Sequence, residues 1–272
     1  MIDALLAAIR RGVRVYDLGR PMFPGMPQSP NHPPFAHSLP RRHGDVTRAD
    51  GGSAANDLIV TGTHVGTHID ALAHVSQDGR LHGGADAREA CVGGRYPDHG
   101  VHLIEPIVCR GVLLDVARTL GVDCCPAASE ITDDDLATCV KTTGVAPARG
   151  DVALVRTGWG PRFDDGAEAY LGHRSGVPGA GASAAAWLVD HGVVAAGSDT
   201  IAFERIRPGN GHAVLPVHSV LLVEHGIHII EALDLESLSS EEIYEFTFVV
   251  APLKLVGATG SPVRPIALVG RG

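Results

Sequence analysis

The chain has 272 residues, 44% of them hydrophobic, enough for one large domain with a buried core. Its 22 basic and 31 acidic residues give a net charge of −9, and no Lys/Arg run exceeds a pair, which argues against a nucleic-acid surface. Five cysteines without a Cys-x-x-Cys pair do not make a complete disulfide framework, no apolar run reaches the ~18–20 residues of a membrane span, and no secretory leader pattern opens the chain, so a cytoplasmic protein is expected.

Ile2, Leu5, Leu6 and Ile9 follow the i, i+3, i+4, i+7 pattern of a short amphipathic helix ending near Gly12. Val13 to Leu18 then reads as a strand. Residues 21–57 hold seven prolines up to Pro40 and are too punctuated for regular structure; a lid or substrate wall is expected there. Strand character resumes at Leu58–Val60 and at Val112–Val116. Thr132 followed by three aspartates marks a helix start that should run to Gly144. Asp151–Val155 reads as a buried strand, and Ser183 as the N-cap of a helix ending at Gly192. Further strands are expected at Val193–Ala196, Ile227–Ile230, Phe246–Val256 and Pro265–Val269. Helices and strands mix without regular βαβ alternation, which points to an α+β fold. No phosphate-cradling Gly-rich loop and no Gly-x-Ser-x-Gly elbow occurs, so nucleotide binding and serine hydrolysis are unsupported.

The densest chemistry lies in His64-Val-Gly-Thr-His68-Ile-Asp70-Ala-Leu-Ala-His74. Two imidazoles and a carboxylate form a ligand set that holds a divalent transition metal while leaving positions open for water or substrate. The four groups share parity and would line one face of an extended segment. A straight strand, however, would separate the α-carbons of His64 and His68 by about 13 Å. Gly66 between them permits a bend, so a strand that turns into a loop is expected, with a helix possible from Asp70. Crowding such groups without an ion would be costly to desolvate. His74, four residues beyond Asp70, is assigned as general acid/base because three protein ligands already suit a catalytic site.

A second cluster, His212, His218, His225, His228 and Glu231, offers a second ion site or support for the first, with His218 and Glu231 at the ends of apolar runs. Two rivals share the ligand types. A non-haem iron oxygenase uses two histidines and a carboxylate, though usually with the carboxylate beside the first histidine, and a non-enzymatic metal-binding protein would fill every coordination position. Phe23, Phe35, Trp159, Phe163 and Phe203 are the rings available to stack on an aromatic substrate, or to fill the core.

His64-x-Gly-Thr-His68-x-Asp70-x-x-x-His74, with His218 and Glu231 ahead of Ala-Leu-Asp-Leu, resembles the cyclase family of metal-dependent hydrolases, which includes kynurenine formamidase and isatin hydrolase. Tyr16-Asp-Leu18, Gly25-Met-Pro27, Arg156-Thr-Gly-Trp159 and Gly197-Ser-Asp199-Thr extend the resemblance over most of the chain. It implies a swivelling β/β/α-type single domain over 1–272 and assembly into homodimers or homotetramers. It also implies one or two zinc or manganese ions on His64, His68 and Asp70, completed by His218 and Glu231, with His74 as acid/base. The activity implied is hydrolysis of an amide, formamide, cyclic amide or lactone. Leu72 stands where the formamidase pattern has proline.

Overall fold

Val152–Arg156 is buried at every residue, the mark of a strand covered on both faces, and it lies at the centre of the molecule. The computed structural model describes residues 2–270. Its strands are β1 (Val13–Asp17), β2 (Ala36–Arg41), β3 (Asn56–Val60), β4 (His68–Asp70), β5 (Ile107–Asp115), β6 (Glu130–Ile131), β7 (Val152–Arg156), β8 (Gly179–Ala180), β9 (Ala195–Ser198), β10 (His228–Glu231), β11 (Glu245–Val250), β12 (Gly260–Pro262) and β13 (Ile266–Gly270). Nine form one mixed sheet in the order β1-β13-β11-β5-β7-β9-β10-β4-β12. Only the central run β5-β7-β9-β10 is parallel; both flanks are antiparallel. The α+β expectation holds.

Alternation decides which side chains meet which layer. Val112, Leu114, Ala153, Val155, Ala196 and Ile229 pack one face with helices 133–143 and 182–190. Leu113, Val152, Leu154, Ala195 and Ile230 pack the other with Leu235, Leu238 and Phe248. The helix over Asp133–Thr143 is fixed as its sequence indicates. Thr132 and Asp135 form a capping box, and Gly144 closes it in the left-handed conformation.

Several expectations are corrected. β2 forms inside the stretch read as irregular and pairs antiparallel with β3, which takes in the strand expected at Leu58–Val60, with a register shift between Ser38 and Arg41. Pro40 falls within that shift and this two-stranded ribbon has no further neighbour, so its missing N–H disrupts no continuous ladder. Ser183 lies within the helix Ala182–Asp190, whose N-cap is Gly181; the Ser183 hydroxyl instead accepts from the Asp133 amide at 3.2 Å. No helix starts at Asp70, and the strand ends at Val250 rather than Val256. The short β12 was not foreseen.

At the carboxyl ends of β5 and β7, Arg156 donates to Asp115 at 2.9 Å and to both Glu236 oxygens at 2.8 and 2.9 Å. Asp115 is 1% exposed, so removing its cation leaves a buried carboxylate undercompensated. Arg156→Met is expected to lower unfolding stability by about 3 kcal/mol in urea denaturation. A loss under about 1 kcal/mol would show that the Arg118 guanidinium, 3.7 Å from Asp115, and the Ser239 hydroxyl that donates to it suffice.

Candidate metal centre

The site is assembled where β4 lies between β10 and β12. Antiparallel register puts His68 directly opposite Glu231, the last residue of β10, and Asp70 opposite Gly260. Period-two alternation then sends His68 and Asp70 to the same face. His64 precedes the strand, on a loop that turns at Gly66 (φ +70°). The bend foreseen at Gly66 is therefore present, but the loop comes first and the strand after it. The turn folds His64 back over β4, where its Nδ1 lies 2.7 Å from Asp70 Oδ1 and its Nε2 2.9 Å from Thr259 Oγ1. A Cβ at Gly260 would fall 2.5 Å from His64 Cε1, so the ring occupies space that only glycine leaves open.

After the strand the chain turns again, with the His74 amide donating to the Ala71 carbonyl at 2.9 Å. The His74 ring stacks on His64 at 3.7 Å between centroids. His218 arrives from the far side, at the junction of the short helix Pro216–His218 and a π-helical turn Ser219–Glu224. Its Nε2 lies 3.2 Å from Glu231 Oε1 and 3.7 Å from Asp70 Oδ2. His68 Nε2 lies 3.4 Å from Glu231 Oε2 and 3.6 Å from Asp70 Oδ1.

The second nitrogen of each of these rings is tied down from behind. His68 Nδ1 donates to the Gly66 carbonyl at 2.8 Å, which leaves Nε2 aimed at the carboxylates. His218 Nδ1 meets Glu204 Oε1 at 2.7 Å, and Glu204 is itself gripped by the amides of Val217 and His218. Phe203 and Ala232, adjacent to Glu204 and Glu231, have left-handed backbone (φ 56° and 53°), a strained state held by the surrounding packing.

Burial opposes ionisation of Asp70, but His74, His64 and His68 outweigh it and hold the carboxyl well below the usual range. Burial, reinforced by the charge of Asp70 and countered by His218, raises Glu231 to about 7. Burial alone would lower His218; Glu204, Glu231 and Asp70 reverse that and raise it to about 10. At His74 burial dominates, with the other imidazoles adding to it against the pull of Asp70, and its pKa falls to about 3. His68 falls to about 4, chiefly through burial. His74 is thus a neutral imidazole at pH 7.

Two carboxylate oxygens, Asp70 Oδ2 and Glu231 Oε1, are buried without a hydrogen-bond donor among the described residues; the approach of His218 to Glu231 lacks hydrogen-bond geometry. Unpartnered buried oxygens amid imidazole nitrogens are costly in an apoprotein and match the nitrogen and oxygen donors a divalent transition ion takes. Ligand atoms of His64, Asp70 and His74 lie within 4.8 Å of one another, and so do those of Asp70, His218 and Glu231. Asp70 belongs to both groups.

The structure brings together His64, His68, Asp70, His74, His218 and Glu231. Of the other histidines considered, His212 reaches the cavity wall, while His228 Nδ1 donates to the Asp70 carbonyl at 2.9 Å and His225 is exposed. Glu204, Thr259, Ser29 and His32 escaped the sequence reading. A charged residue in Ile201-Ala-Phe-Glu204 was the one available signal for the first. The others reach the site only through tertiary contacts. Trp159, Phe163, Phe35 and Phe203 are core residues, and Phe23 is exposed.

A family model for putative cyclases matches residues 16–205. Isatin hydrolase from Roseibium aggregatum is 25% identical over 270 residues, covering 94% of this chain and 92% of its own. Among solved structures, a cyclase superimposes with a TM-score of 0.85 at 26% identity, covering 98% of this chain and 93% of its own. Isatin hydrolase A from Ralstonia solanacearum gives 0.75 at 28%, covering 99% and 97%. A predicted metal-dependent hydrolase from Bacillus stearothermophilus gives 0.61 at 25%, covering 94% and 98%. The match begins inside β1 and takes in the whole His64–His74 motif and Glu204, while His218 and Glu231 lie beyond it; on this match the chain belongs to the cyclase family.

Proposed function

We propose that the protein is a metal-dependent hydrolase that cleaves C–N bonds of amides, cyclic amides first among them. The observation that carries this is the buried pair of donorless carboxylate oxygens on Asp70 and Glu231, set among imidazoles beside a neutral His74. The isatin-hydrolase relatives support the cyclic-amide preference. His64, His68, Asp70, His218 and Glu231 would hold the cation or cations. Bound there, a divalent cation would supply Lewis acidity, lowering the pKa of water from 15.7 towards ~7 and polarising an amide carbonyl. The His74 imidazole takes the proton from the attacking water oxygen and delivers it to the departing nitrogen. Gly66 and Glu204, through His68 and His218, keep the ring nitrogens aimed inward while this happens. A facial-triad oxygenase needs one carboxylate; the two that converge here favour the hydrolase.

The 21–57 segment acts as a substrate wall in this reading, since Ser29 and His32 line the cavity. Zinc or manganese would suit the nitrogen and oxygen donors, and Asp70 belongs to both groups of potential ligands. Glu231→Gln separates one ion from two: a fall in metal stoichiometry from two to one supports a two-ion centre, and unchanged stoichiometry with slower turnover assigns Glu231 to orienting water. The deciding assay is hydrolysis of isatin, N-formylkynurenine and simple lactones by protein loaded with zinc or manganese. Turnover of none would defeat the proposal.

We also place the protein in the cytoplasm; among the described residues no helix is long and apolar enough to cross a membrane, and the cysteines are free thiols. A homodimer or homotetramer is proposed, supported by exposed Leu58, Ile59 and Val60 on β3. Light scattering showing a monomer at micromolar concentration would refute it.

A further inference from the structure

Directly over the histidine cluster the cavity measures about 20 Å³, room for a water molecule and too small for a substrate. It shares Ser29, Ile201 and His212 with a neighbouring cavity of about 330 Å³, which extends past Leu171 and Ile206 to Asn210 at the surface. The larger chamber falls in the size range of small-molecule pockets. Its lining contains no Asp, Glu, Lys or Arg.

We infer that the 330 Å³ chamber receives the body of an uncharged substrate, and that Ser29 and His212 at its neck orient the scissile amide towards His74. This rests on the amide-hydrolase reading above. Ile201 and Ile206 are 5% and 4% exposed and form an apolar wall. An ionised group moved against them without a counter-charge would lose its hydration uncompensated. The amino-acid head group of a formylated kynurenine carries two such charges, whereas a neutral lactam carries none.

The neck has the opposite character. Ser29 is 3% exposed; its Oγ accepts from the Asn31 amide at 3.3 Å, and among the described residues its hydroxyl hydrogen has no acceptor. It is free to donate to a carbonyl entering the small cavity. His212 is kept neutral by burial and by the nearby imidazoles of His218 and His32, which lower its pKa to about 4. A neutral ring can give or accept one hydrogen bond without adding charge to the wall. Few polar groups at the constriction and an apolar body beyond it are the pattern of a pocket that fixes orientation at one end.

The test compares binding and turnover of isatin and a ring-carboxylated isatin by the metal-loaded protein at pH 8. Wild type is expected to bind the neutral compound on the order of 10²-fold more tightly. Asn210→Arg, on an exposed wall, should shift the ratio of the two affinities at least tenfold towards the carboxylate. Ile206→Trp should weaken binding of the neutral compound by a similar factor, and Ser29→Ala should lower its kcat/KM about tenfold at unchanged metal content. Equal binding of both compounds by wild type, or a ratio unmoved by Asn210→Arg, would overturn the chamber assignment even if amides are hydrolysed. Discrimination in binding with no turnover of any amide would uphold the chamber and defeat the hydrolase reading instead.

Discussion

Asp70→Ala is expected to abolish retention of a stoichiometric divalent ion and, with it, all hydrolysis above background. Asp70 is fully buried and common to both groups of potential ligands, so no other single residue touches as much of the centre. One of its oxygens lies 2.7 Å from His64 and 3.6 Å from His68, and the other 3.7 Å from His218. Removing the carboxylate leaves four imidazoles, three of them tied to other partners, facing a single glutamate. Elemental analysis after dialysis and calorimetric titration of zinc and manganese would read the loss, and circular dichroism would confirm folding. Asp70→Asn keeps the shape and removes the charge; it should follow the alanine variant in metal content. Undiminished metal in both variants would remove the basis for a centre at this strand.

His74→Ala should behave in the opposite way with respect to the ion. Metal content is expected to stay near wild type while turnover falls by on the order of 10²–10⁴, the range typical of losing general acid/base help. The reason is position and charge state together. His74 stacks on His64 rather than lying in the strand, and burial and neighbouring imidazoles keep it neutral at pH 7. The proximity of His64, Asp70 and His74 also permits a ligand role, and the variant separates the two. Loss of metal in step with activity would make His74 a ligand. Unchanged turnover would exclude both roles.

These two residues sit four apart in sequence and illustrate what local pattern can and cannot carry. The motif's ligand types and the bend at Gly66 were legible because they follow from residue chemistry and from one missing Cβ. Strand parity accounts for only half of the site. His68 and Asp70 share a strand face, but His64 and His74 reach the site through turns on either side of a three-residue strand. Alternation cannot describe that, because it applies only while the backbone stays extended.

The sequence by itself determined the α+β class, the capped helix from Asp133 to Thr143, most of the central strands and the His64–Asp70 nucleus. Each rests on interactions within a few residues along the chain: hydrophobic period, capping geometry, ligand chemistry. Only the tertiary structure decided that Glu231 pairs across from His68, that Glu204 supports His218, that Gly260 makes room for the His64 ring, and that Ser29 and His212 join two cavities. Those contacts join strands and loops far apart in the chain. Their register is set by how the nine-stranded sheet buries both faces, a global packing outcome that no local window contains.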